Sequence, residues 1–154
     1  PRVVGLYTNG ALAKVDGVPA CWVVALGVDR EGSYPPGHKV RQGDRRTPEG
    51  FYRTSDKPWS NFYGAIAVHY PNVEDTAVGL ASGLITQGQH DGIVRALAVD
   101  DKPNQSTRLG GEILLHGGGS SRDWTWGCVA LDNDDIDEVR EALPSLRGDV
   151  LILP

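Results

Sequence analysis

The chain has no methionine, only two cysteines and no excess of basic over acidic residues. It also lacks any long apolar run. Each absence narrows what it can be. A chain without methionine is not a complete translation product, so the sequence predicts a removed N-terminal segment or a domain cut from a longer protein. A lost export signal fits the first case. Two cysteines, Cys21 and Cys128, are too few for a disulfide-stapled scaffold and match neither a CxxC pair nor a zinc spacing. The longest apolar stretch, around Ala20 to Val28, falls short of the roughly 18 residues a membrane span needs, which excludes an integral membrane protein. A net charge of -5 offers no footprint for nucleic acid. The remaining composition, 40% hydrophobic and 23% charged over 154 residues, is that of one water-soluble domain spanning 1–154.

What the sequence has in quantity is punctuation: 20 glycines and 10 prolines separate short stretches rich in Val, Ile and Leu. That spacing predicts a mostly β fold. Asn9-Gly10 between Val3–Thr8 and Ala11–Val15 predicts an opening hairpin, because this dipeptide accepts positive φ angles. Ala20–Val28 reads as a continuous buried strand, with shorter strands at Gly64–His69, Ile113–His116 and Val150–Leu153. One helix is expected over Asp134–Leu143, where Ile136, Val139 and Leu143 share a face, Asp132 caps, and Pro144 stops it. A second, interrupted by Gly88 and Gly92, is expected over about Leu84–Val99. Gly43–Gly50 and Asp100–Gly111 read as loops.

The chemistry concentrates in Ile113-Leu114-Leu115-His116-Gly117-Gly118-Gly119 and Thr125-Trp126-Gly127-Cys128-Val129-Ala130-Leu131. A histidine ends one strand and a cysteine begins the next, a spacing that lets a thiol meet a base. Imidazole would then draw the thiol pKa down from about 8.5 toward neutrality. Gly127 permits a sharp turn that aims backbone amides of Gly127 and Cys128 at a developing oxyanion. Two other readings stay open on the residues alone: Cys128 as a small buried hydrophobe beside a satisfied His116, and a Cys21–Cys128 disulfide.

His116-Gly117 and Thr125-Trp126-Gly127-Cys128, preceded by Gly43-Asp44-Arg45-Arg46-Thr47-Pro48-Glu49-Gly50-Phe51-Tyr52, resemble the catalytic domain of the L,D-transpeptidases, the YkuD-type family. The resemblance can be laid along nearly the whole chain. Ser60-Asn61-Phe62-Tyr63, His69-Tyr70-Pro71-Asn72 and Gly127–Leu131 resemble most the YafK-type branch. The implied fold is a β-sandwich or open barrel with one or two short helices. The implied roles are Cys128 as nucleophile, His116 as base, the Gly117 carbonyl as orienter of the imidazole, and the Gly127 and Trp126 amides as oxyanion donors. Ser60, Tyr63, His69, Arg122 and Trp124 are the expected substrate contacts. The implied substrate is the peptidoglycan stem peptide, attacked at the L-centre carbonyl of meso-diaminopimelate to give a thioester, outside the cytoplasm and without a cofactor or metal. The acceptor, an amine, a lipoprotein lysine or water, separates a transpeptidase from a hydrolase, including one that cuts the diaminopimelate–lipoprotein bond. A noncatalytic wall-binding module is the rival of another class. Two departures stand out. Trp126 occupies the place where many members carry histidine or arginine, and 87–111 reads as an insertion able to form a lid.

Other patterns carry less. His116-Gly117-Gly118-Gly119 matches a lipase oxyanion loop but lacks its G-x-S-x-G elbow, and Gly117–Ser121 lacks the lysine of a phosphate loop. The acidic run Asp132–Glu138 lacks the glycine of a calcium loop and fits a helix start. His38, His69 and His90 have no metal-ligand spacing.

Overall fold

The computed structural model describes residues 2–154. The first layer is built of short strands: β1 (Val3–Gly5), β2 (Tyr7–Thr8), β3 (Ala11–Leu12), β4 (Lys14–Val15), β5 (Val18–Pro19) and β6 (Cys21–Val23). β2 and β3 form the expected hairpin, with Asn9 and Gly10 both at positive φ. A second tight hairpin, β4–β5, turns at Asp16-Gly17, where both residues again have positive φ. β6 returns antiparallel to β1.

β6 does not run on as the continuous buried strand expected from Ala20 to Val28. Ala20, Trp22 and Val24 are buried while Cys21 and Val23 face outward, because this layer covers the core on one side only. Beyond Val24 the chain meets the main sheet through two isolated bridges, Ala25 to Ala130 and Gly27 to Thr125. A side chain at Gly27 would sit 2.0 Å from the Arg45 carbonyl oxygen, so glycine is required at this close approach.

The main sheet comprises β7 (Gly50–Asp56), β8 (Ile66–Val68), β9 (Leu114–His116), β10 (Val129–Ala130) and β11 (Asp149–Ile152), in the order β10-β9-β8-β7-β11. Only β9 and β10 run parallel. β7, the longest strand, is absent from the sequence expectation although Tyr52 and Thr54 alternate inward between Phe51, Arg53 and Ser55. Its charged residues hide an ordinary period of two.

Among the described residues three α-helices complete the fold, one more than expected: α1 (Val73–Ala81), α2 (Gln87–Ala98) and α3 (Asn133–Ala142). α1 starts at a reciprocal capping box between Asn72 and Asp75, a four-residue signal present in the sequence. α2 likewise starts at Thr86 with Gln89, so Leu84 and Ile85 precede the helix and pack with Ile93, Leu97 and Leu109. At α3 the Asp132 side chain does not cap the helix. It accepts hydrogen bonds from Ser120 instead, which ties the helix start to the loop after β9. Among the described residues no helix is long and apolar enough to cross a membrane.

The core lies between the first layer and one face of the main sheet. Trp22 and Val24 meet Tyr52, Ile66, Val68, Leu115, Val129 and Leu131 there, and Ile136 and Val139 of α3 close it. The Trp22 indole donates to Glu138 at 2.8 Å, pinning α3 to the first layer. The result is a mostly β architecture with a curled five-stranded sheet whose second face is left for other use.

Candidate active site

Strand alternation decides what that second face carries. Ala67 pairs with Leu114, and Val129 with Leu115, so Ala67, Leu114 and Cys128 form one row across the sheet. The next row holds Ala65, His116 and Ala130, and on the other side His69 follows Ala67 while Glu112 precedes Leu114. From β7 the same face receives Arg53, Ser55 and Lys57. Ala65, Ala67, Leu114 and Cys128 accordingly pack as a cluster separate from the main core. Cys128 and His116 are thus diagonal neighbours on one face.

The imidazole of His116 is 1% exposed and held from three sides. Nδ1 donates to the Gly117 carbonyl at 2.5 Å, which leaves Nε2 as the lone-pair nitrogen. The Phe62 ring lies over it at 4.5 Å between centroids, and Trp124 meets it edge-on at 5.5 Å. Burial pushes the imidazole pKa below its ordinary value, and the Gly117 carbonyl opposes this only in part. The ring is therefore neutral at neutral pH.

Cys128 departs from expectation. Burial pushes its thiol pKa up, and the Leu114 backbone and the Lys57 and Lys39 ammonium groups offset only part of that. The sulfur hydrogen-bonds the Glu112 carbonyl at 3.5 Å rather than His116. Burial thus favours the neutral thiol over the thiolate of the sequence reading, because a charge there would be desolvated before a partner reaches it. The disulfide reading is overturned as well. Both cysteines are free, Cys21 lying opposite Gly5 in the first layer and Cys128 on the open sheet face.

The turn before Cys128 is fixed by glycine and threonine. Gly127 has φ +118°, and a Cβ there would meet the Arg46 carbonyl at 2.6 Å. Thr125 donates its hydroxyl to the Cys128 carbonyl at 2.7 Å and accepts the Gly127 N–H at 3.2 Å. The Gly127 amide, expected to serve an oxyanion, is thus already engaged. The Trp126 side chain stands 73% exposed, with the Arg45 guanidinium 4.5 Å from its ring centre. Arg45 and Arg46 belong to the Gly43–Gly50 loop, which Asp44 organises by accepting from Lys39, Val40, Arg41 and Arg46.

The expected substrate contacts separate into three groups. Arg122 and Trp124 line a groove of about 290 Å³ with Gly118, Gly119 and Ser121, adjoining a second of about 320 Å³ along Asp132–Asp134. Ser60 and Tyr63 brace the site. The Ser60 hydroxyl accepts the Phe62 N–H at 3.0 Å, the Tyr63 carbonyl accepts the Gly117 N–H at 2.8 Å, and the Tyr63 hydroxyl reaches Asp137 at 2.8 Å. His69 sits apart, buried, with Nε2 on the Ser55 hydroxyl at 2.8 Å and Nδ1 without a partner. Sequence reading missed Phe62 as a clamp, Asn133 as the acceptor of the Gly118 N–H at 2.9 Å, and the Lys57–Glu112 ion pair. Phe62 was within a quoted motif; the other two depend on contacts across the fold. The 87–111 segment is anchored at the Arg53 end of the sheet, where Asp100 accepts from Arg53 at 2.9 and 3.0 Å.

Cys128 and His116 thus share one open sheet face, with a backbone-oriented imidazole and a glycine turn before the sulfur. The family model of the L,D-transpeptidase catalytic domain, YkuD, matches residues 2–151, and the chain belongs to this family. It is 32% identical over 106 residues to the Escherichia coli (strain K12) protein named "Putative L,D-transpeptidase YafK", a match covering 67% of this chain and 30% of that protein. The chain spans about a third of the length of the curated relatives it matches. Among solved structures it is similar to the helical cell shape determining protein Pgp2 (K307A mutant) from Campylobacter jejuni, with a TM-score of 0.52 and 25% identity over 84% of this chain and 36% of that one.

Proposed function

We propose that the chain catalyses cysteine-dependent acyl transfer on peptidoglycan stem peptides, attacking the L-centre carbonyl of meso-diaminopimelate. The observation that carries this reading is the His116 imidazole, its Nδ1–H committed to Gly117 and its Nε2 free, on the sheet face that bears Cys128. Family membership supports the substrate class. An extracytoplasmic location follows from that substrate.

The chemistry starts from two neutral groups. As the thiol turns from the Glu112 carbonyl toward His116, Nε2 takes its proton while sulfur bonds the carbonyl carbon. The carbon–nitrogen bond to the departing residue then breaks, and the proton passes from Nε2 to the leaving amine. The thioester reacts next with an acceptor whose proton returns through Nε2 to sulfur. An amine acceptor gives a crosslink or, from a lipoprotein lysine, an anchor; water gives an L,D-carboxypeptidase. The free Trp126 and Cys128 amides are the oxyanion donors in this reading, since Gly127 serves Thr125.

The test is mass spectrometry of muropeptides, monomeric tetrapeptides and lipoprotein-linked species together, after incubation with wild type and Cys128→Ala. Cys128-dependent crosslinked dimers support the transferase. Cys128-dependent tripeptides or a freed lipoprotein fragment assign water as acceptor. An unchanged mixture rejects the catalytic reading in favour of a wall-binding module.

A further inference from the structure

Lys57 is the least expected group on the catalytic face. It continues β7 by donating its backbone N–H to Ala65, yet its ammonium crosses to Glu112 and forms an ion pair there. The same residue's carbonyl accepts the Cys128 thiol at 3.5 Å. Glu112 therefore holds the thiol through its carbonyl and the lysine through its carboxylate. Lys102 approaches the other Glu112 oxygen at 3.9 Å, so two cations share one carboxylate.

The two partners differ in how easily they can separate. The Lys57 side chain is 10% exposed and the Glu112 side chain 56%. Glu112 can turn into water at little cost, while Lys57 cannot regain water and needs another anion in its place. Burial already pushes the Lys57 pKa down, the direction expected of an ammonium that lacks hydration. Glu112 is also the residue at φ +56° where the chain enters β9, so its carbonyl and side chain are both presented on this face.

We propose that Lys57 is the carboxylate-recognition residue of the donor site, with Glu112 as its internal stand-in, displaced when a substrate carboxylate binds. The ligand is the free α-carboxylate of the residue that departs, three bonds from the carbonyl that Cys128 attacks. Glu112 swings out toward Lys102, the substrate carboxylate pairs with Lys57, and the Cys128 thiol loses its neighbour's restraint as the scissile carbonyl arrives. The enzyme thus distinguishes a stem peptide with a free terminus from one whose terminus is amidated or extended.

This inference rests on the acyl-transfer reading, and its test does not require turnover. Alkylation of Cys128 by iodoacetamide is followed at one fixed alkaline pH, above the ordinary thiol value of about 8.5, in the presence of N-acetyl-D-alanine or N-acetyl-D-alaninamide. The acid protects wild type about tenfold or more better than the amide, the range of one charge-assisted pair. Lys57→Met abolishes that preference, Lys57→Arg keeps it, and Glu112→Gln strengthens it by removing the internal competitor. Equal protection by acid and amide in wild type, or a preference surviving in Lys57→Met but lost in Arg122→Gln, overturns the proposal. If the muropeptides show no Cys128-dependent product while the Lys57-dependent preference stands, the reaction assignment falls and the anion subsite remains. Products with no acid preference mean the reverse.

Discussion

At the scale of single residues, burial acts on the two central groups in opposite directions and leaves both neutral. It raises the thiol and lowers the imidazole, so neutral pH lies between them with no preformed ion pair. Two outcomes follow. The rate of Cys128 alkylation is small at neutral pH and climbs only above about 8.5, the ordinary thiol value. His116→Ala leaves that alkylation profile nearly unchanged, because the sulfur rests on Glu112, yet lowers turnover by about 10²- to 10⁴-fold. An alkylation profile that starts well below the ordinary thiol value and collapses in His116→Ala would establish a preformed pair instead. Phe62 acts through the imidazole, which it covers on one face. Phe62→Ala admits water to His116, so the acidic limb of the kcat/KM profile moves upward toward the ordinary histidine value while kcat falls. Phe62→Tyr, which retains the ring, restores both.

The elements matter through the joints between them. The β10 entrance is a glycine turn wedged against the Gly43–Gly50 loop, and the loop is itself held by one carboxylate. Gly127→Ala meets positive φ and the Arg46 carbonyl together, and is expected to cost about 1–3 kcal/mol in urea unfolding and to displace Cys128. Asp44 provides a pH signature. Burial alone would raise its pKa, but the Lys39 ammonium and the Arg41 and Val40 amides outweigh it and hold the carboxyl below the ordinary value. A folded-state pKa below the unfolded one stabilises the fold above the unfolded value, about 3.9, and that stabilisation is lost as pH falls through the folded one. Asp44→Asn therefore lowers the unfolding midpoint at neutral pH, and its deficit relative to wild type shrinks in acid. A deficit constant from pH 7 into the acid range would show that hydrogen bonding rather than charge is what Asp44 contributes.

Across the whole molecule, the core sits on one face of the sheet and the candidate site on the other. The first layer, Trp22 and α3 complete the core face, while Lys57, Glu112, His116 and Cys128 share the opposite one. The two cysteines lie in different parts of this arrangement, and both are free. Denaturing the unreduced protein in iodoacetamide is expected to add two carbamidomethyl groups, and the thermal midpoint is expected to be indifferent to reductant. A single species carrying no adduct would restore the disulfide.

Local chemistry was readable in the chain. Asn9-Gly10 makes its turn because the dipeptide tolerates positive φ wherever it occurs, and α3 starts and stops near Asp132 and Pro144 because capping and proline act over a few residues. The His116-Gly117 and Gly127-Cys128 pairs were legible for the same reason, each lying within one strand end. β7 and α1 were equally local: charges interrupt the period of the one, and the other is announced only by a four-residue capping box ahead of a short helix. What the sequence determined, then, is which residues turn, cap and alternate, since these properties depend on neighbours along the chain. Only the tertiary structure decided the rest. It set the sheet order that brings Lys57 beside Glu112 and Phe62 over His116, the burial that keeps Cys128 a thiol, and the engagement of the Gly127 amide by Thr125. Pairing energies and desolvation depend on groups far apart in the chain, and strand register alone determines which of them meet.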